Sequence, residues 1–371
     1  MRVCSIVGAR PQFIKAAVVS TELREVGEEV LVHTGQHYDE EMSDVFFDEL
    51  GIPEPDYNLG VKSGPHGRQT AKMIAEIEPV VEETDPDVVL LYGDTNSTLA
   101  GAIVGSKCDV VVAHVEAGLR SYNREMPEEI NRVLTDHASD LCFAPSENAV
   151  ETLAEEGITD GVYLTGDVMY DSVLAVRDRV TDSSTVLEEL GVREDECILA
   201  TVHRQRNTDD RANLESILDG LEAASQPVVF PAHPRTVDRL EEYGLRDRAE
   251  AVVDLVEPLG YLDFVRLMDA AERIVTDSGG VQKEAFFLET PCVTLREETE
   301  WTETVDCGWN ELVGTDTDAI RDALAKDEWP DDTPNPYGDG EASRRIAELV
   351  AEHVADSGAG TEAELESTAD D

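Results

Sequence analysis

The sequence predicts an α/β protein in which parallel strands are covered by helices on both faces. Apolar runs of strand length, such as Val88–Tyr92 and Val228–Pro231, alternate with helical patterns such as residues 67–83. Runs that are apolar throughout are typical of parallel strands buried on both faces of a sheet. The alternating series occurs twice, before and after a polar, Ser/Thr-rich stretch at residues 178–188. Two α/β domains are therefore predicted.

Each series predicts its own strands and the helices between them. In the first half we expect strands at residues 3–8, 30–33, 88–92, 110–114 and 141–144. In the second half we expect strands at residues 197–202, 228–231, 251–254, 273–276 and 292–295. The domain bounds that follow are 1–178 and 179–340, with an amphipathic helix at 341–355 packing across the domains and a disordered acidic tail at 356–371.

The composition argues against several classes of protein. The formal net charge is −52, from 81 acidic and 29 basic residues, which argues against nucleic acid or an anionic membrane as a partner. An acid-rich, lysine-poor surface suggests a high-salt cytoplasm, where salt screens the self-repulsion. No apolar run approaches the roughly 18 residues of a membrane span, and the N-terminus does not resemble a signal peptide. We therefore expect a cytoplasmic protein from a halophile-like organism.

The six cysteines are scattered along the chain and form no CxxC pair. Most lie in apolar, strand-like runs, which is typical of small buried side chains in a reducing compartment. The sequence predicts neither a zinc site nor a disulfide framework.

A Ser-Gly-Gly turn is the first candidate for a phosphate site. Ser278, Gly279 and Gly280 follow an apolar run at 274–275 and precede a helical pattern at 284–288. Such a turn places backbone N–H groups at a helix N-terminus, where an anion can bind, and glycine lets the ligand approach closely. The alternative is an ordinary turn that only needs flexible residues.

A second candidate lies near the start of the chain. Gly8 ends a strand and Pro11 begins a helix, a position that suits proline. Arg10 and Lys15 lie near the N-terminus of that helix, and two cations there suit a diphosphate. The alternative is ordinary surface charge.

Three carboxylates follow predicted strands in the first half. Asp94 and Glu116 come directly after two of the strands, and Glu128 begins a helix that also carries Arg132. Ligands bind beyond the carboxyl ends of parallel strands, and crowded carboxylates supply an acid and a base because some of their pKa values rise. The alternatives are that Asp94 caps a helix and that Glu128 and Arg132 form a surface pair.

His203 and Phe264 are candidates in the second half. His203 follows a strand beside Arg204, where a functional role competes with that of a capped or core histidine. Phe264 is either a core residue or a ring that faces a nucleotide base. The sequence has no G-x-G-x-x-G with a correctly placed acid and no G-x-x-x-x-G-K-[ST], which argues against a nicotinamide dehydrogenase and a P-loop NTPase.

Taken in order, these motifs resemble those of the non-hydrolysing UDP-N-acetylglucosamine 2-epimerase family. The resemblance covers residues 2–354 and rests on segments 8–15, 34–37, 93–95, 114–120, 127–132, 203–204, 259–264 and 278–284. It implies two Rossmann-like domains in a GT-B-like arrangement, with the active site in the interdomain cleft, and a homodimer. It also implies interconversion of UDP-GlcNAc and UDP-ManNAc by anti elimination of UDP and re-addition through 2-acetamidoglucal, without metal or nicotinamide.

The resemblance implies a role for each candidate residue. Asp94, Glu116 and Glu128 look like the catalytic carboxylates, with His203 on the diphosphate side. The UDP ligands implied in the same way are Arg10, Lys15, Arg132, Ser278, Gly279 and Gly280, with Glu284 for the ribose and Phe264 beside the uracil.

Two segments depart from the family pattern. Residues 299–303 read Thr-Glu-Trp-Thr-Glu where the family usually has Thr-Glu-Arg-Pro-Glu. Residues 38–44 lack the glutamines with which some bacterial members bind UDP-GlcNAc as an allosteric activator, so that regulation is not predicted here. Both features, with residues 8–13, look like the branch that epimerises UDP-2,3-diacetamido-2,3-dideoxyglucuronate, which is the alternative substrate.

Three other functions compete with this interpretation. A GT-B glycosyltransferase would share the two halves and the Gly-Gly diphosphate turn, but it would not need three acids at strand ends. A hydrolysing epimerase would release free ManNAc and UDP. A nucleotide-sugar sensor would bind UDP without catalysis.

Overall fold

The chain folds into two compact α/β units in a computed structural model. The structure describes residues 1–36, 53–181, 183–326, 328–330 and 335–368. Unit 1 contains Met1–Ser172 and the chain from Asn335 onward, and unit 2 contains Val173–Pro334. The chain therefore returns to unit 1 for its last helix.

Unit 1 is built on a parallel β-sheet. Its strands are β1 (Arg2–Val7), β2 (Glu28–His33), β3 (Tyr57–Asn58), β4 (Val88–Tyr92), β5 (Val111–Val115), β6 (Leu141–Ala144) and β7 (Val162–Leu164). The helices that follow these strands are α1 (Arg10–Val26), α2 (His66–Thr84), α3 (Asn96–Lys107), α4 (Pro127–Ala138), α5 (Glu147–Glu155) and α6 (Val168–Val180). The seven strands lie in the order β3-β2-β1-β4-β5-β6-β7.

Unit 2 repeats this design with a second parallel sheet. Its strands are β8 (Ile198–Thr201), β9 (Val228–Pro231), β10 (Asp254–Val256), β11 (Arg273–Thr276), β12 (Cys292–Thr294) and β13 (Asn310–Leu312). Its helices are α7 (Val186–Leu190), α8 (Gln205–Thr208), α9 (Arg211–Leu221), α10 (Pro234–Glu242), α11 (Arg246–Val252), α12 (Tyr261–Ala270), α13 (Gly279–Phe287), α14 (Thr302–Asp306) and α15 (Thr317–Leu324). The six strands lie in the order β10-β9-β8-β11-β12-β13. The prediction of two parallel α/β sheets is confirmed.

The sheet of unit 1 is buried on both faces. Side chains of β1 alternate between two apolar clusters, with Val3 and Val7 in one and Cys4 and Ile6 in the other. This alternation follows from the two-residue period of a strand. Because helices cover both faces of the sheet, the residues that point to either face are apolar.

The last helix, α16 (Ala342–Thr368), completes one of these clusters. Its residues Ile346 and Val350 are buried together with Phe13 and Leu23 of α1. The C-terminal part of the chain is therefore part of the core of unit 1.

The loops beyond the strands of unit 1 are held close together. A Cβ on Gly8 would lie 2.1 Å from Oγ1 of Thr34 and 2.2 Å from Oγ of Ser97, so only glycine fits after β1. The side chain of Gln12 accepts hydrogen bonds from the backbone N–H of Gly8 and donates one to the carbonyl of Tyr92. The residues that follow β1, β2 and β4 therefore share one edge of the sheet.

Asp94 does not cap helix α3. The helix begins at Asn96, whereas a cap at Asp94 would require it to begin at residue 95. The N-cap of α3 is Thr95, whose side chain accepts a hydrogen bond from the N–H of Thr98. That alternative is wrong, because the capping position is occupied by a residue with its own side-chain acceptor.

The predicted strand at 251–254 is also wrong. Residues up to Val252 belong to α11, and the strand is Asp254–Val256. Ala249 and Val253 are both buried and four residues apart, which is a helical spacing. A short apolar run did not distinguish this helix end from a strand.

The boundaries of the two compact units differ from those of the predicted domains. Unit 1 ends at Ser172, inside α6, whereas the sequence places the boundary after residue 178. Helix α16 continues beyond residue 355 to Thr368, over residues predicted to be disordered. Residues 356–368 include three glutamates, two alanines and one leucine, which have high helix propensity, beside two glycines, which do not.

No helix within the described residues is long and apolar enough to cross a membrane.

Candidate functional site

Two predicted carboxylates lie beyond neighbouring strands of unit 1. Strands β4 and β5 are paired in parallel, with Tyr92 opposite Val115 at their carboxyl ends. Asp94 and Glu116 follow directly after these ends. The parallel register therefore brings both acids to the same edge of the sheet.

Glu116 forms an ion pair with Lys15, which α1 carries to this edge. Both side chains are about nine-tenths buried, with 9% of each exposed. A Cβ on Gly93 would lie 3.3 Å from Nζ of Lys15 and 3.4 Å from Oε2 of Glu116, so the loop after β4 passes directly against the pair. The surface-charge alternative for Lys15 is wrong, since this cation is buried against a carboxylate.

The backbone of Glu116 has a left-handed conformation, with φ of 72°. This conformation is uncommon for a residue other than glycine and is often found at functional sites. The N–H groups of Glu116 and Ala117 both donate to the carbonyl of Phe143, which stabilises the turn. The side chain of Glu116 is therefore placed by a constrained backbone.

Asp94 forms an ion pair with Arg132 of α4. Burial raises the pKa of Asp94, and the carboxylates of Glu116 and Glu128 raise it further, whereas Arg132 and Lys15 lower it. The net pKa lies above the ordinary value. The predicted carboxylate cluster is therefore one electrostatic unit, and Arg132 pairs with Asp94 across 38 positions of sequence.

The two glutamates at the start of α4 have different environments. Glu129 is buried and accepts hydrogen bonds from the N–H groups of Ser121 and Tyr122. Glu128 is half-buried, and no described residue forms a hydrogen bond or ion pair with it. Glu129 therefore anchors a loop, whereas the carboxylate of Glu128 remains available to a ligand.

A buried histidine lies beneath this acid cluster. Nδ1 of His114 is 2.7 Å from a carboxylate oxygen of Asp136, and Nε2 is 2.7 Å from the carbonyl oxygen of Gly93. The ring is thus held between a carboxylate on one side and a backbone carbonyl on the other. His114 therefore links α4 to the loop that bears Asp94.

In unit 2, a buried aspartate organises the predicted nucleotide side. Asp277 follows β11 and accepts hydrogen bonds from the N–H groups of His203 and Arg204, at 3.0–3.1 Å, and from Nδ2 of Asn207 at 3.0 Å. Nδ1 of His203 lies 3.3 Å from the same carboxylate. The core-histidine alternative is wrong, because His203 is exposed at the end of β8.

The Ser-Gly-Gly turn is the N-terminus of α13. Ser278 is the N-cap but makes no side-chain capping bond, and Gly279 and Gly280 are the first helical residues. The strand-to-helix turn predicted here is confirmed. Among the residues that the structure describes, nothing lies within 4 Å of a Cβ added to Gly280, so these residues leave the space beside the helix N-terminus open.

The remaining predicted ligands of unit 2 lie on α12 and α13. Glu284 is buried on α13, and its carboxylate accepts a hydrogen bond from Oη of Tyr261 at 3.2 Å. Phe264 is half-buried in the first turn of α12. The structure thus places both residues in unit 2, on the two helices that flank β11.

Some of the predicted residues lie outside the described part of the chain. Arg10 begins α1, but its side chain is not among those described. The same holds for His37 and for segment 38–44, on which the expectation about allosteric regulation rests. Within the described ranges, no group of His, Cys, Asp and Glu side chains is placed to hold a metal ion.

Comparison with known proteins decides the family. The family model described as UDP-N-acetylglucosamine 2-epimerase matches residues 21–351. A UDP-N-acetylglucosamine 2-epimerase homolog of Methanococcus maripaludis is 50% identical over 94% of this chain and 99% of its own length. The chain belongs to the UDP-N-acetylglucosamine 2-epimerase family.

Other members of this 2-epimerase family are similar in sequence and fold. The UDP-2,3-diacetamido-2,3-dideoxy-D-glucuronate 2-epimerase of Pseudomonas aeruginosa is 47% identical over 95% of this chain and 99% of its own length. A crystal structure of the Methanocaldococcus jannaschii UDP-GlcNAc 2-epimerase in complex with UDP-GlcNAc and UDP has a TM-score of 0.81 and 42% identity. The match covers 95% of this chain and 100% of the Methanocaldococcus jannaschii chain. The predicted family and its α/β fold are confirmed, and the matches do not favour a glycosyltransferase.

Several residues near the candidate groups of each unit carried no role in the sequence interpretation. Asp136 lies four residues after Arg132, so the helical period places both on one face of α4. Arg296 follows β12 just as His203 follows β8, and a strand-end position was the available signal. Nothing in the sequence indicated that Asp277 would accept hydrogen bonds from the N–H groups of His203 and Arg204, which follow the neighbouring strand β8.

Proposed function

We propose that this chain interconverts UDP-GlcNAc and UDP-ManNAc without net hydrolysis. In this reaction a base takes the proton from carbon 2 of the sugar, and its electron pair forms the double bond between carbons 1 and 2. The bond from carbon 1 to the UDP oxygen breaks, and UDP leaves with that electron pair. UDP then adds back to 2-acetamidoglucal while a proton is delivered to the opposite face of carbon 2.

The cluster of Asp94, Glu116 and Glu128 carries this proposal. Inversion at carbon 2 requires proton transfer on both faces of the ring, so at least two acid–base groups are needed. Each of the first two carboxylates is paired with a cation, and Glu128 is close enough to raise the pKa of Asp94. Groups with different surroundings can divide the roles of acid and base between them.

We propose that basic side chains and backbone N–H groups bind the UDP that leaves. Negative charge grows on the diphosphate as the bond to carbon 1 breaks, and positioned donors stabilise that charge. The residues proposed to bind UDP are Arg10, Lys15, Arg132, Ser278, Gly279 and Gly280, with His203 beside the diphosphate, Glu284 at the ribose and Phe264 at the uracil.

The proposal includes the setting in which the enzyme works. The reaction moves a proton and breaks and reforms one C–O bond, with no net oxidation, so it requires no nicotinamide. We propose that the protein acts as a homodimer in a high-salt cytoplasm. The family resemblance and the net charge of −52 support this setting.

Incubation with UDP-GlcNAc in heavy water tests the reaction. We expect UDP-ManNAc to appear in the NMR spectrum, with deuterium at carbon 2 of both sugars. Asp94→Asn, Glu116→Gln and Glu128→Gln should each lower kcat by roughly 10²–10⁴-fold, the usual contribution of a general acid or base.

Three outcomes would contradict the proposal. Product without deuterium would exclude elimination through an exchangeable proton. Accumulation of free ManNAc and UDP would indicate a hydrolysing enzyme. Turnover of UDP-2,3-diacetamido-2,3-dideoxyglucuronate but not of UDP-GlcNAc would assign the other substrate.

A further inference from the structure

Two consecutive residues of α4 contact Asp94 at different groups. Asn131 donates a hydrogen bond from Nδ2 to the backbone carbonyl oxygen of Asp94, at 3.0 Å. Arg132 forms its ion pair with the carboxylate of the same residue. Helix α4 therefore holds Asp94 both by the main chain and by the side chain, and only the second of these contacts depends on the charge of the carboxyl.

Asn131 is itself fixed among buried polar side chains. It is 6% exposed, and its Nδ2 also donates to Oδ1 of Asn96, at 3.2 Å. Nδ2 of Asn96 in turn donates to Oε1 of Gln69 at 2.8 Å. Both acceptors of the Asn131 amide are neutral groups. Its hydrogen bonds therefore persist whether the carboxyl of Asp94 is ionised or protonated.

The carboxyl of Asp94 faces charged groups of both signs. They are Arg132 and Glu128 of α4, Glu116 after β5, and Lys15 of α1. Burial raises the pKa of Asp94, the two cations lower it and the two glutamates raise it, with a net rise. In the proposed reaction, a general acid or base takes up a proton and releases it in each cycle. The ion pair with Arg132 is lost whenever this carboxyl is neutral.

Arg132 keeps a carboxylate beside it in that state. Its Nε lies 3.7 Å from Oε2 of Glu129, whose side chain is only 3% exposed. The cation therefore stays compensated when Asp94 is neutral. Among the residues that the structure describes, the hydrogen bond that residue 94 then retains is the one from Asn131 to its carbonyl.

We propose that Asn131 is a positioning residue, which keeps Asp94 in place while its carboxyl gains and loses a proton. This inference rests on the proposed function, in which Asp94 is one of the acid–base groups. Glu128 lies three residues before Asn131 on the same helix, so the contact also limits the movement of Asp94 relative to Glu128. Constant geometry matters because displacement of a catalytic group by about 1 Å can slow a reaction by roughly 100-fold.

The mobility of the Asp94 backbone amide gives a direct test. The ¹³C shift of the Asp94 carboxyl follows its titration, and ¹⁵N relaxation gives the order parameter of its backbone N–H. In the parent protein we expect about 0.85, the value of a rigid backbone, above and below the midpoint. In Asn131→Ala the order parameter should stay high while the carboxyl is ionised and fall below about 0.6 when it is neutral. A rigid amide in the neutral state of this variant would overturn the proposal.

Two further variants control for packing. Asn131→Leu restores the volume of the side chain but not its N–H donor, so it should reproduce the result even if the alanine variant is too unstable to measure. Thr135→Val is the matched control. Thr135 lies one turn further on the same face of α4 and is fully buried, and its Oγ1 has no hydrogen-bond partner among the described residues. Its amide at residue 94 should stay rigid in both states, and mobility there would assign the effect to the packing of α4 and overturn the proposal.

Kinetics separate a positioning role from a purely structural one. With UDP-GlcNAc, Asn131→Ala should lower kcat by roughly 10–100-fold and leave the Kd of UDP unchanged. An unchanged kcat in this variant of an active parent, or a loss of UDP affinity without a loss of kcat, would overturn the proposal. Because mobility is measured without substrate, a parent protein that shows the expected order parameters but does not epimerise would contradict the proposed function alone.

Discussion

At the level of single residues, the charge on Asp94 depends on every ionisable neighbour in its cluster. Burial raises the pKa of this carboxyl, Arg132 opposes that effect, and Glu116 and Glu128 add to it. A carboxyl whose pKa is raised can exchange its proton at a pH where an ordinary aspartate stays ionised. Arg132 and Lys15 limit the rise in the pKa of Asp94. Loss of either cation should therefore favour the protonated form of this carboxyl.

Two substitutions should therefore move the pKa of Asp94 in opposite directions. Arg132→Gln removes a positive charge and should raise it, whereas Glu128→Gln removes a negative charge and should lower it. The ¹³C chemical shift of the Asp94 carboxyl, assigned with Asp94→Asn, follows the titration directly. Both shifts should shrink as salt increases, because screening weakens the interactions. Movement in the same direction for both variants would show that conformational change, and not charge, controls this group.

The sequence predicted which of these residues meet, but not how they are paired. Asp94 and Glu116 were predictable because they follow strands whose carboxyl ends meet at one edge. The pairing of Arg132 with Asp94 instead of Glu128 depends on the position of α4 relative to β4, which one sequence does not contain.

At the level of elements, α4 connects the acid cluster to the core of unit 1. Its first turn carries Glu128, and Arg132 reaches Asp94 from the next turn. Asp136, a turn further on, accepts hydrogen bonds from His114, from Nη1 of Arg120 at 2.7 Å and from the N–H of Gly118 at 3.1 Å. One helix face thus supports the loops after both β4 and β5.

Asp136→Asn should destabilise the fold at neutral pH and displace the Asp94 loop. Burial by itself would raise the pKa of Asp136, but the hydrogen bond and charge of His114 and the charge of Arg120 hold it below the ordinary value. Removing one partner of a buried ion pair typically destabilises by about 3–5 kcal/mol. Denaturant unfolding of the two proteins measures this difference, and kcat should fall with it even where the variant is fully folded.

The pH dependence distinguishes a charge effect from a packing effect. A lowered pKa contributes stability above the unfolded value of about 3.9 and loses it as the pH falls through the folded value. The difference between Asp136→Asn and the parent should therefore shrink in acid. Asp140→Asn is the control, because the exposed Asp140 accepts a backbone N–H bond from Val112 at 2.9 Å and should have a smaller effect. A difference for Asp136→Asn that persists in acid would point to packing.

At the level of the whole molecule, the chain repeats one parallel α/β design twice. This repetition was predictable because apolar strand runs and helical patterns recur on both sides of a polar stretch. The short strands β3 and β13 were not, since Tyr57–Asn58 and Asn310–Leu312 are too brief to show a period. The return of α16 to α1 was also not predictable, because amphipathicity shows that a face is buried but not against which element.

The net charge of −52 is a property of the whole molecule that bears on its stability. Exposed ion pairs such as those of Arg246 with Glu241 and Glu250 contribute little to stability and weaken in salt. Repulsion among the excess carboxylates extends over the whole surface, and its range falls as the Debye length drops from about 10 Å at 0.1 M to about 3 Å at 1 M salt. Relief of repulsion should therefore exceed the loss of ion pairs.

We expect the Tm to rise with KCl, most steeply below about 1 M, where the Debye length changes most. A gain of 1 kcal/mol corresponds to about 2–4 °C for a unit of this size, so an increase of several degrees is measurable by calorimetry. Sucrose is the control, because it stabilises by exclusion from the surface without screening charge. A Tm that is unchanged or lower in KCl, while sucrose raises it, would show that the acidic surface does not destabilise the fold, and the expectation of a high-salt cytoplasm would lose its physical basis.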